Sequence, residues 1–124
     1  MLDKEKLEHF FTTLDYEYEE AEDGVYVVNA DHDDSTLLII SVIDNLMILR
    51  LKLAELPADA DAEFYKMLLR KNMELAHGAV AVDKNDLVLI DTVEIDGIHA
   101  DEIHASVMAL EEGAQLVYKA VREG

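Results

Sequence analysis

One stretch constrains this chain more than any other. From Phe64 to Leu75 the apolar residues recur at helical spacing, and His77-Gly78 follows as a stop. At 100° per residue, Phe64, Met67, Leu68 and Leu75 fall together, with Tyr65, Leu69, Met73 and Ala76 on the adjacent arc. Glu63, Lys66, Arg70 and Glu74 share the remaining sector, and Lys71 and Asn72 interrupt the apolar arc without erasing it. That arc spans roughly 240°, where a surface helix needs a stripe of about 100°. One sheet face cannot cover it. Either a second helix of the same chain or a second subunit must do so, and in a chain of 124 residues a homodimer is the simpler solution. Phe64, Tyr65, Leu68, Leu69 and Met73 are therefore the candidate pairing or core residues.

The elements around this helix read in order. Asp3–Leu14 forms a first helix with the stripe Leu7, Phe10, Phe11 and Leu14, and Asp3 as N-cap. Tyr16 and Tyr18 alternate with carboxylates in a candidate edge strand, and Val25–Val28 is a strand by β-branching. Leu37–Ile43 is an apolar strand interrupted only by Ser41, which predicts that both its faces are covered. Asp44-Asn45 turns the chain into Leu46–Leu53, where Leu49, Leu51 and Leu53 alternate with Arg50 and Lys52. Asp59 or Asp61 caps the central helix. Ala79–Val82 and Leu87–Val93 pair across Asp83–Asp86. A last helix runs from about Ala100 to Arg122, with a narrow seam through Ile103, Val107, Leu110, Ala114, Val117 and Val121. Gly113 inside it either permits a close approach or is neutral. The order is α+β: an antiparallel sheet flanked by three helices, in one domain spanning residues 1–124.

Composition excludes several functions. The absence of cysteine removes disulfides and thiolate chemistry and fits a cytoplasmic location. The N-terminus shows no signal-peptide pattern, and no apolar run is long enough to span a bilayer. At a net charge of −18, with Lys and Arg scattered, neither nucleic acid nor an anionic membrane is an expected partner. The segment Asp15–Asp34 carries nine carboxylates and no Lys or Arg. It either steers a basic partner or simply solvates an edge.

Candidate chemistry fails on spacing. Asp31, Asp33 and Ser35 resemble the opening of a calcium loop, yet Thr36 replaces the glycine and Val42 the bidentate glutamate. His99 and His104 stand five apart among Asp96 and Asp101, which is not zinc-hydrolase spacing. Asp91, in an otherwise apolar strand, is expected to point outward. Ser35, Ser41 and Ser106 lie in no nucleophile elbow, and no glycine-rich phosphate loop exists. The reading is a protein without enzymatic activity, cofactor or metal.

The run Leu68-Leu69-x-x-Asn72-x-x-Leu75-x-x-Gly78-Ala79-x-Ala81-Val82-Asp83, then Leu87-Val88-Leu89 and Ile95-Asp96-Gly97-Ile98, resembles the CesT-like (Tir-chaperone) class I type III secretion chaperones and the related YbjN-like proteins. The resemblance implies an acidic, usually dimeric α+β protein that holds an extended segment of a polypeptide client along apolar grooves and sheet edges. Asn72 would tie the helix end to the following loop. Client contacts are expected at Val25, Val27, Leu37 and Ile39. Two other readings fit the composition: an acidic inhibitor or immunity-type protein binding a basic partner, and a regulatory protein, YbjN-like or holding a small ligand between helix and sheet.

Overall fold

The structure is a computed structural model that describes residues 4–30 and 38–123. Helices α1 (Lys4–Thr13), α2 (Ala62–Lys71) and α3 (Ala100–Glu123) accompany six strands: β1 (Glu17–Glu22), β2 (Val25–Asn29), β3 (Leu38–Ile43), β4 (Leu46–Glu55), β5 (Ala79–Asp83) and β6 (Asp86–Glu94). The strands form one antiparallel sheet in the order β1-β2-β3-β4-β6-β5. The expected Asp3 cap, the Asp31–Ser35 loop and Leu37 lie outside the described residues. No helix among the described residues is long and apolar enough to cross a membrane.

Strand alternation divides the sheet into two faces. Tyr26, Val28, Leu38, Ile40, Met47, Leu49, Leu51, Leu87 and Leu89 point to one side and are buried there with Leu7 and Phe11 of α1, Leu68 of α2 and the seam of α3. All three helices therefore cover the same face. Residues of the opposite parity (Val25, Val27, Ile39, Ile48, Ile90) meet no helix and remain half-buried. The expectation that Leu37–Ile43 is covered on both sides is thus corrected: Leu38 and Ile40 are buried, whereas Ile43 is 55% exposed. The run looked doubly covered because both parities are apolar, yet the three helices reach only one layer.

The central helix also ends earlier than its periodicity suggests. Asp61 caps its start, its Oδ1 accepting the Phe64 N–H at 3.0 Å. At Lys71 the helix gives way to tighter i→i−3 bonds, Met73 N–H to Arg70 and Glu74 N–H to Lys71. Asn72 is the reason. Its Oδ1 accepts the Val80 N–H at 2.6 Å and so stitches the end of α2 to the first turn of β5. Gly78 completes the passage at φ +74°, where a Cβ would stand 2.9 Å from the Ile90 carbonyl and from Leu110. Gly113 answers the question its sequence position raised, since a Cβ there would lie 3.0 Å from Leu75. The missing side chain lets α3 approach the α2–β5 connection.

Two sequence expectations about polar groups resolve locally. By its register opposite Leu49, Asp91 falls on the helix-covered side and not outward, half-buried beside His77 and Ser106, with its Oδ1 accepting the Thr92 N–H. It can sit there because the helices leave that end of the sheet open. Glu102 Oε1 accepts the His99 N–H at 3.3 Å, so the Asp96–His104 pattern is a helix start. Among the described residues no group of three or more His, Asp or Glu could hold a metal ion.

At the other end, Phe11 packs edge-on against Tyr26, ring centroids 5.5 Å apart, and the Tyr26 hydroxyl donates to Glu8 Oε2 at 3.2 Å. Burial, with the carboxylates of Glu8 and Glu20 adding to it, pushes the Tyr26 phenol up to about 12. Burial and the nearby Glu111 carboxylate push Tyr16, whose hydroxyl meets His104 Nδ1 at 2.8 Å, up to about 12 as well.

These contacts generate two expectations. Replacing Asn72 by Ala leaves the Val80 N–H without its acceptor and should lower stability by about 1–3 kcal/mol in urea unfolding, while Asn72→Asp, which keeps the acceptor, should lose much less. Both phenols titrate higher in the folded chain than the ordinary 10.0. Their contribution to stability is therefore complete below pH 10 and is lost as pH rises toward about 12. Phenolate absorbance followed together with circular dichroism should show ionisation of these two tyrosines coinciding with unfolding.

Candidate pairing and binding surfaces

The five residues singled out on the central helix separate into two groups. Leu68 is 4% exposed and joins the core, and Phe64 is half-buried against it. Tyr65, Leu69 and Met73 are 40%, 65% and 88% exposed. Met73 lies past the helix end, in the turn that Asn72 pins. The apolar arc is thus broader than its own fold can cover, as its width implied.

Those side chains adjoin a free sheet edge. β5 is the outermost strand, and its residues Ala79-Val80-Ala81-Val82 carry no charge. Val80 and Val82 share the helix side with Leu87 and Leu89. Together with Ala81, Tyr65, Leu68 and Leu69 they line a groove of about 250 Å³. Val82 is itself 49% exposed. Sequence reasoning found the helix residues of this groove through their periodicity. It also took the strands that follow the helix into the pairing surface, without singling out Val80 and Val82, because a four-residue apolar run does not mark an edge.

The opposite edge has the reverse chemistry. β1 reads Glu-Tyr-Glu-Glu-Ala-Glu, all six residues are exposed, and a bulge between Glu20 and Glu22 breaks its register. Charge and bulge are both devices that keep an edge from pairing with its own kind. Charge is uneven along the sequence in the same sense. Residues 1–34 hold twelve carboxylates and two lysines, whereas residues 46–86 hold seven carboxylates and six Lys or Arg. Two copies meeting at α2 and β5 bring nearly neutral regions together. Two copies meeting at β1 oppose their densest negative charge.

A second apolar surface is the helix-free face. Val27 and Ile39, both candidate client residues, are direct cross-strand partners there, and Val25 stands opposite Ser41 in the next row. The face continues through Ile48 to the tip of the β3–β4 hairpin, where Ile43 and Leu46 pair, 55% and 38% exposed. Its two central cations are neutralised within the chain: Arg50 by Asp83 at 2.7 Å and Lys52 by Asp86 at 3.4 Å. Val25, Val27 and Ile39 therefore belong to one surface, distinct from the α2–β5 groove.

The fold recurs among solved structures. One chain of the heterodimeric ExoU–SpcU complex from the type III secretion system of Pseudomonas aeruginosa superposes with a TM-score of 0.72 at 16% identity, over 90% of this chain and 94% of that one. YbjN from E. coli superposes at 0.76 and 14% identity, over 98% and 93%. The Yersinia pestis type III secretion chaperone SycH, solved with a stable fragment of YscM2, gives 0.60 at 22% identity, over 94% of each chain. No curated protein matches the sequence. The CesT_Tir_1 pattern matches residues 2–116, nearly the whole chain. The chain belongs to the CesT_Tir_1 family.

Proposed function

We propose that this chain is a single-domain, non-enzymatic polypeptide-binding protein of the secretion-chaperone type, acting in the cytoplasm. It pairs with a second copy through α2 and β5, and it holds an extended segment of a client along the β1 edge and the adjoining helix-free face at Val25, Val27 and Ile39, with Leu37, outside the described residues, kept among the expected contacts. The observation that carries this reading is the presence of two separate uncovered apolar surfaces on one small domain. One borders an uncharged strand edge in the nearly neutral part of the molecule, which suits self-association. The other lies beside the acidic outermost strand β1, whose charge repels a second copy and suits pairing with a different chain. Further support comes from relatives of the same fold: SycH was solved with a fragment of YscM2, and SpcU in a heterodimer with ExoU.

The dense charge near β1 favours a second reading, a stoichiometric acidic inhibitor of a basic partner. Salt separates the two. Binding carried by apolar burial should persist in roughly half-molar salt, whereas association driven by charge should slow steeply. For pairing, light scattering at micromolar concentration should return twice the 13.9 kDa chain mass. Leu69→Lys, placing an ammonium in the groove, should weaken pairing by about 100-fold or more while leaving the unfolding midpoint of the dissociated monomer, measured at high dilution, nearly unchanged, because Leu69 is 65% exposed in the single chain. A native chain that stays monomeric, or a Leu69→Lys protein that pairs as before, contradicts the proposed interface.

A further inference from the structure

At the end of the sheet that the helices leave open lies a polar cleft that neither pairing nor client binding uses. Strand β5 stops at Ala79, opposite Ile90, so from Asp91 to Glu94 strand β6 has a neighbour only in β4. The first turns of α3 run beside this stretch and complete a cleft of about 450 Å³. Small-molecule sites occupy roughly 300–1,000 Å³. Ser106 lines the cleft from the α3 seam, 8% exposed between Ile103 and Val107, yet its hydroxyl has no hydrogen-bond partner among the described residues. A hydroxyl buried to that degree costs stability unless something bonds it. Gly78 carries the α2–β5 connection past Asp91, where a Cβ would stand 3.5 Å from the Asp91 Cβ, and so brings His77 to the rim.

The lining is rich in acceptors. Asp91, Glu94 and Glu102 contribute carboxylates, no Lys or Arg joins them, and none of the three is in an ion pair among the described residues. A cleft lined by one sign of charge concentrates the opposite sign. The carboxylates do not converge, since among the described residues no group of three or more His, Asp or Glu could hold a single metal ion. Val93 and Ala105 set apolar surface among them. Separated acceptors with apolar lining suit a ligand whose own positive charges are held apart by methylenes.

We propose that this cleft between β6 and α3 binds a free aliphatic diamine. One ammonium donates to Asp91 and the Ser106 hydroxyl, and the other to the rim carboxylates Glu94 and Glu102.

Calorimetry and amide resonance shifts on the full chain test this with 1,4-diaminobutane, n-butylamine and magnesium chloride at equal ionic strength. Salt of about 0.15 M weakens diffuse attraction to the acidic surface. The diamine should saturate at one per chain and bind at least about tenfold more tightly than n-butylamine. It should shift Asp91, Thr92 and Ser106 and leave Glu17–Glu22 in place. Ser106→Ala removes the unpartnered hydroxyl, and Glu102→Gln removes a charge while keeping an acceptor for the His99 N–H. Each, checked for an unchanged unfolding midpoint, should weaken the diamine about tenfold, and Glu19→Gln on β1 should leave its affinity unchanged. Shifts that never saturate and spread over β1 overturn the site, as does full affinity in both cleft variants. Equal affinity for n-butylamine, which presents one ammonium as a lysine side chain does, overturns the diamine in favour of a basic residue of another polypeptide. Magnesium shifting the same amides as strongly overturns the organic ligand.

Discussion

Three helices can cover one face of a six-stranded sheet and no more, and the rest of this molecule follows from that limit. α3 supplies a long narrow seam over β4 and β6, α1 closes the β1–β2 end, and α2 lies over the β5 edge. Among the described residues no helix covers the reverse face or the outer side of α2. A protein designed only to fold would carry polar residues at both places. This one keeps Val, Ile, Leu and Met there. Uncovered apolar area of this kind marks interaction surfaces in general, and it is what the proposed pairing and client binding rest on.

What holds the pairing surface in shape is a small number of backbone accommodations. Asn72 ends α2 and fixes the start of β5 through one short hydrogen bond. Gly78 lets the connection pass against Ile90 and Leu110, and Gly113 lets α3 come up beneath Leu75. Together they fix the chain path beside the groove between Tyr65, Leu69 and Val82. The acidic β1 edge complements this arrangement by making the other end of the sheet unattractive to a second copy.

Much of this was legible in the residues. Alternation at Leu49, Leu51 and Leu53 located the buried face of β4, and the spacing from Ile103 to Val117 located the seam of α3. The excess width of the central apolar arc marked Tyr65, Leu69 and Met73 among the pairing or core residues, and in the single chain all three are exposed. Three things were not legible. Strand β3 is apolar at both parities, so its sequence cannot say which side the helices take. Asp91 shares its parity with Leu87 and Leu89, but Val88 and Ile90 make the other parity of β6 equally apolar, so the sequence does not say which of the two the helices cover. The early end of α2 depends on Asn72 reaching Val80 eight residues on, which competes with a helical periodicity that runs to Leu75.

The central claim is that the two free edges of the sheet have different fates, β5 meeting its own kind and β1 refusing it. Amide hydrogen exchange followed as a function of protein concentration reports both edges at once on the unmodified chain. Self-association through α2 and β5 predicts that exchange at Ala79–Asp83 and around Leu69 slows as concentration rises, while Glu17–Glu22 exchange at an unchanged rate. Concentration-dependent protection of Glu17–Glu22 instead, or none at either edge, would contradict the account.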